Sequence, residues 1–180
     1  EPPRVDLAGL RVAASEDLGF SPVEPSQRSA LRQAVDGLAP CFASVEDASP
    51  PLDDADHIFE VIRASQFLAG HLGHYQNHRD ALGPNLVENI EQAMRFSFED
   101  LALATAAHSA LYRRFMAFMA DYDILLCPVT AAPAFPKETL FPPTLEGRPV
   151  RTYFHWLAPS YGITLTSHPA ISIPCGRDTN

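Results

Sequence analysis

Residues 121–136 constrain this chain most. Ile124, Leu125, Leu126 and Cys127 form a short apolar run without alternation. Such a run predicts a strand buried on both faces, as in a largely parallel sheet. A long helical pattern precedes it. Pro128, Pro133 and Pro136 follow it, so the chain must leave the sheet into a loop that can neither stay helical nor pair fully.

The segment before it has the same character. Leu10 to Ala14 reads as a short strand interrupted by Arg11, and residues 15–25 read as a loop with Gly19 and two prolines as breakers. Pro25 suits the first turn of a helix, where its missing N–H costs nothing. Leu31, Ala34, Val35 and Leu38 then repeat at helical spacing, and Gly37 and Pro40 end the pattern. Residues 41–45 form a second strand candidate. A strand, a helix and a strand in this order predict a parallel pair.

After a proline-rich, acidic linker, Asp53, Asp54 and Asp56 suit a helix N-terminus. Ile58, Val61, Ile62, Ser65, Leu68, Ala69 and Leu72 then form one apolar stripe, which predicts a helix over 54–75. Further helices are expected over 86–94 and 98–122. In the last of these, Leu111, Phe115, Phe118 and Tyr122 line one face, and Arg113 and Arg114 read as solvated. Residues 153–161 are aromatic and expected to be helical, with Pro159 limiting them. Residues 170–173 are expected to form the last strand. The fold class is therefore α/β, with a mixed or mostly parallel sheet of about four strands flanked by helices.

Two stretches carry a family resemblance. The Tyr122-Asp123 apolar strand with its proline and threonine loop resembles a passage of the amidase signature family. The segment Thr164-Leu165-Thr166-Ser167-His168-Pro169-Ala170-Ile171-Ser172-Ile173-Pro174-Cys175-Gly176 is similar to that family's Asn-Leu-Thr-Gly-His-Pro-Ala-Ile-Ser-Val-Pro-Cys-Gly. Gly9-Leu10-Arg11-Val12 and Val23-Glu24-Pro25-Ser26 correspond to the family's Gly-Leu-Arg-Ile and Val-Asp-Pro-Glu. The resemblance covers nearly the whole chain. It implies that residues 1–180 are one domain, the C-terminal part of an amidase signature fold. That family includes the glutamyl-tRNA amidotransferase, through its A-type catalytic chain. The more divergent substrate segment here favours a general amidase. The N-terminal Glu-Pro-Pro-Arg reads as the middle of a protein, and truncation is expected at both ends.

The resemblance also implies the chemistry of the parent. A carboxamide is hydrolysed to carboxylate and ammonia through an acyl-serine. The nucleophilic Ser is served by a second Ser and a Lys base, and backbone N–H groups hold the oxyanion. These parts are missing from the 180 residues. No two serines are adjacent, and Lys137, the sole lysine, sits in a proline-flanked loop. No catalytic residue carries over, so the chain alone is expected to be inactive, contributing scaffold and part of the substrate pocket. The resemblance places residues 153–169 near the acyl pocket. Tyr153, His155, Trp156, Tyr161, Thr164 and Thr166 are the candidate substrate-binding residues. Core packing is the alternative, because Tyr and Trp bury large areas. Thr164 stands where the family commonly has Asn, and Ser167 where it commonly has Gly.

Other functional classes remain open on sequence grounds. The chain could be a non-catalytic interaction or scaffold module. It could also be a metal-dependent hydrolase using His71, His74 and His78, whose spacings of three and four place them on one helix face. A solvated face beside Asp56, Glu60 and Arg63 is the plainer reading of that trio, and the family needs no metal or other cofactor. His168 lies seven residues before Cys175, but nearness in sequence makes no dyad.

Cys41, Cys127 and Cys175 are odd in number and widely spaced, as reduced thiols in a cytoplasmic protein would be. The net charge of −9, from 22 acids and 13 bases, argues against a nucleic-acid or anionic-membrane surface. The expected partner is a small-molecule amide in the parent protein. The expected further contact is self-association through exposed sheet edges.

Overall fold

A computed structural model describes residues 5–176. They divide into two compact units, residues 54–111 and the flanking segments on either side, with the division falling inside one long helix.

The first unit is built on a small parallel sheet. Strand β1 (Arg11–Ala14) lies between β2 (Ser44–Asp47) and β3 (Ile124–Leu126), and both pairings are parallel. Val12 and Ala13 of the central strand are fully buried. The run at 124–126 is only half-buried. It is an outer strand of this sheet and has a strand neighbour on one side among the described residues. The second strand begins three residues later than the apolar pattern suggests, because Ala39–Cys41 first forms a single 3-10 turn around Pro40.

Helix α1 (Pro25–Leu38) connects β1 to β2, with Pro25 at its first position as expected. It buries Leu31 and Val35 against Ala14, Val45 and Leu126. A two-residue turn, Glu146-Gly147, joins β4 (Thr144–Leu145) to β5 (Arg148–Pro149). Both turn residues have positive φ, 51° and 73°, as a tight hairpin with the native twist requires. Leu145 thereby packs with Val23, Ala131 and Ala132.

The sheet's register is locked at its start by an ion pair. Asp123 Oδ2 accepts from the Arg11 backbone N–H at 2.8 Å and from Arg11 Nε at 3.2 Å, while Asp123 N–H donates to Arg11 O at 2.8 Å. The Arg11 side-chain and backbone donors hold the Asp123 carboxyl below the usual carboxylate range. A carboxylate depressed in the folded state stabilises above its unfolded value near pH 4, and that contribution is lost as pH falls through the folded value. Asp123→Asn is therefore expected to lower stability at neutral pH and to flatten the loss of stability below about pH 4. Urea midpoints followed from pH 6 to pH 2 check this, and parallel curves for the two proteins would refute it.

The second unit is helical. Helix α2 (Ala55–His78) buries Ala55, Ile58, Val61 and Ala64 and pairs with α3 (Pro84–Ala93), which buries Asn89, Ile90 and Ala93. The expected stripe on α2 is real in its first half. Beyond Ala64 it fades, and Ala69 is exposed. Helix α4 (Phe98–Phe118) starts at a reciprocal cap: Ser97 N–H and Oγ–H donate to Asp100 Oδ2, and Asp100 N–H donates back to Ser97 Oγ. It ends four residues before the expected Tyr122.

The last helix, α5 (Ala158–Leu165), follows a 3-10 turn at His155–Leu157. Pro159 sits in its first turn, so it opens this helix and does not limit it. The expected strand over 170–173 does not form. A strand needs a neighbouring backbone to accept its hydrogen bonds, and no strand of the described residues lies beside this one. Ile171 and Ile173 are instead 86% and 57% exposed.

Candidate functional site

The proline loop after β3 and the start of α5 are fastened together. Ala131 N–H donates to Trp156 O at 2.9 Å, Glu24 N–H donates to Ala131 O at 2.8 Å, and Ser160 Oγ–H donates to Val129 O. Ala131 and Ala132 are buried because small side chains let these backbones approach. The loop, α1's start and α5 thus form one wall of the first unit.

The six candidate residues lie on or beside that wall in different environments. Trp156 is half-buried against Val23, Ala131, Ala132 and Leu145, with Phe135 edge-on at 5.2 Å. Tyr161 is buried, its ring 6.3 Å from both Phe20 and Phe154. Tyr153 is half-buried, 5.3 Å from Phe154 and 6.4 Å from Phe141. His155 is half-buried and opens the 3-10 turn, its N–H bonded to Thr152 O at 3.1 Å. Thr166 is fully buried, its hydroxyl donating to Ile163 O at 2.7 Å. Thr164 alone is exposed, its hydroxyl turned back onto Ser160 O at 2.9 Å. Five of the six are thus half-buried or buried, and the three large aromatics among them contact other rings or apolar side chains.

Ser167 has φ +55°. This is the left-handed region that glycine favours, at the residue just past the α5 C-cap.

A concave feature elsewhere in the first unit escaped the sequence reading. A depression of about 280 Å³ lies at the carboxyl ends of β1 and β2, lined by Ser15, Glu16, Asp17, Arg32, Asp47 and Ser49 among others. Carboxyl ends of parallel strands are where α/β proteins place ligands. The groups here, however, satisfy one another. Arg32 is bonded to Glu16 at 2.7 Å and to Asp47 at 2.6 Å, which raises its pKa further. Ser15 Oγ and Ser49 Oγ are 2.7 Å apart, and Ser15 Oγ also accepts from Leu18 N–H. Two hydroxyls in contact resemble part of a serine relay, but Arg32 cannot act as a base. Lys137 is 92% exposed beside Glu138. The only signal in the sequence was Ser15-Glu16-Asp17 directly after a strand.

The remaining candidates lose their geometry. No three His, Cys, Asp or Glu among the described residues are arranged to hold a metal ion. His71 is half-buried with its ring 4.5 Å from Phe67, whereas His74 and His78 are exposed. Burial pushes the Cys127 thiol up to about 11, so it stays protonated and inert at neutral pH. No helix among the described residues is long and apolar enough to cross a membrane.

The amidase family model matches residues 3–180. This chain belongs to the amidase family. It is 29% identical over 174 residues to an acylamidase of Rhodococcus erythropolis, covering 95% of this chain and 36% of that protein. It is 25% identical over 200 residues to the A-type chain of the glutamyl-tRNA(Gln) amidotransferase of Brevibacillus brevis, covering 97% of this chain and 40% of the relative. Among solved structures, a bacterial aryl acylamidase of the amidase signature family superposes with a TM-score of 0.76 at 18% identity, covering 97% of this chain and 38% of that one. A 6-aminohexanoate cyclic dimer hydrolase superposes at 0.75 and 20% identity, covering 96% and 39%. The fold and family implied by the two motif stretches are thus those found. The chain spans about two-fifths of the length of these amidase relatives.

Proposed function

We propose that these residues are the C-terminal part of a cytoplasmic amidase that hydrolyses a small-molecule carboxamide to carboxylate and ammonia through an acyl-serine. The observation that carries this reading is the family match over residues 3–180, together with the acylamidase likeness over 95% of the chain. The higher identity to the acylamidase than to the amidotransferase chain, 29% against 25%, supports a general amidase. In this reading the Ser-Ser-Lys machinery lies in sequence outside these residues. The wall formed by the proline loop and α5 is one side of the acyl pocket. Thr164 and Ser167 present its polar edge, while Trp156, Tyr161 and Thr166 set its shape from behind.

The test is ammonia release from acetamide, propionamide and benzamide. The 180 residues alone are expected to release none, and the longer natural product that we propose contains them is expected to release ammonia from at least one. Intact mass of the natural protein is expected well above 19.7 kDa. Hydrolysis by the 180 residues alone would overturn the division of labour, and an inactive longer product would overturn the amidase reading.

A further inference from the structure

The corner after α5 is held by a short closed circuit of hydrogen bonds around one residue. Thr166 N–H and Ser167 N–H close the helix end onto Ile163 O and Thr164 O, at 3.0 and 3.1 Å. Beyond them two bonds span Ser167 from either side. His168 N–H donates to Thr166 Oγ1 at 3.3 Å, and His168 Nδ1 lies 2.8 Å from Thr166 O. A carbonyl oxygen only accepts, so Nδ1 carries the proton and donates. Both bonds join residue 166 to residue 168, and together they fix the two peptide planes that define φ and ψ of Ser167.

The other side of the imidazole is anchored on α4. Phe115 meets it edge-on at 4.7 Å, and the Tyr112 ring lies 5.9 Å away. Phe115 is itself buried, so the anchor is rigid.

We propose that His168 is a positioning residue: its imidazole, seated on Phe115, holds Ser167 in the left-handed conformation and so sets the direction in which the chain leaves α5. Ser needs such a clamp where glycine would not, because a Cβ disfavours φ near +55°. The proposal rests on the amidase reading only for its consequence, namely that the Thr164–Ser167 edge faces the acyl pocket. The clamp itself is independent of that reading.

A thermal double-mutant cycle tests it without any activity assay, so failure of the amidase reading would leave the outcome unaffected. His168→Phe keeps a ring on Phe115 and removes the Nδ1–H donor. It is expected to lower Tm when residue 167 is Ser, and by less than half as much when residue 167 is Gly, because glycine holds the turn unaided. Equal shifts in the two backgrounds would overturn the proposal. A comparison of side-chain donors keeps the test available should the Phe variant fail to fold. The amide nitrogen of Asn falls near the place of Nδ1, whereas that of Gln extends further. His168→Asn is therefore expected to retain a higher Tm than His168→Gln, and the reverse order would refute the clamp.

Discussion

Phe115→Ala is expected to lower stability by about 3–5 kcal/mol, the range for truncating a fully packed aromatic. Phe115 is 2% exposed, its ring 6.2 Å from Phe118 and edge-on to His168. The loss combines transfer of the ring to water with the cavity left behind, since α4 is held over 21 residues and cannot close on the gap. The imidazole of His168 would also lose its seat, so the corner at Ser167 should loosen at the same time. Urea unfolding measures the first effect, and hydrogen exchange at the Ser167 amide reads the second. Phe115→Leu keeps most of the volume and should cost less than about 1.5 kcal/mol. A similar cost for both variants would show that ring volume is not what Phe115 contributes.

Features that depend on neighbours in sequence were legible from the sequence alone. Pro25 marks the start of α1 because a missing N–H is harmless only there. The apolar stripe from Ile58 locates α2, and the run at 124–126 locates β3. The features missed depend on partners far along the chain. Asp123 meets Arg11 across 112 residues, and Ser15 meets Ser49 across 34. No local pattern announces such pairs. Residues 170–173 have strand-like composition, but composition cannot supply the neighbouring backbone a strand requires. Pro159 was read as a helix limit and proved to be a helix start, because a proline ends one helix and opens another with the same ring. For Tyr153, Trp156 and Tyr161, size alone could not separate a pocket lining from a core, and the structure gives all three aromatic or apolar neighbours.

Two left-handed residues of this chain should respond to glycine in opposite directions. Ser167 is polar and exposed, so Gly removes backbone strain and little else. Leu18 has nearly the same backbone, φ +56°, but is fully buried, and its Cδ1 lies 3.7 Å from where a Cβ on Gly162 would stand. Leu18→Gly relieves about 1–2 kcal/mol of left-handed strain. It also empties a leucine-sized space, which costs about 3–5 kcal/mol, and adds up to about 1 kcal/mol of backbone entropy in the unfolded chain. Packing therefore wins, and a net loss of about 3 kcal/mol is expected. Leu18→Ala isolates the balance. It keeps the strain and opens nearly the same cavity, so it should be at least as destabilising as Leu18→Gly. Glycine would be the worse substitute at almost any other buried leucine of this chain. Urea midpoints for the two variants decide the matter: an alanine variant clearly more stable than the glycine variant would mean that the loop at 15–19 shifts to a negative φ at little cost, and that the backbone there is not strained by its leucine.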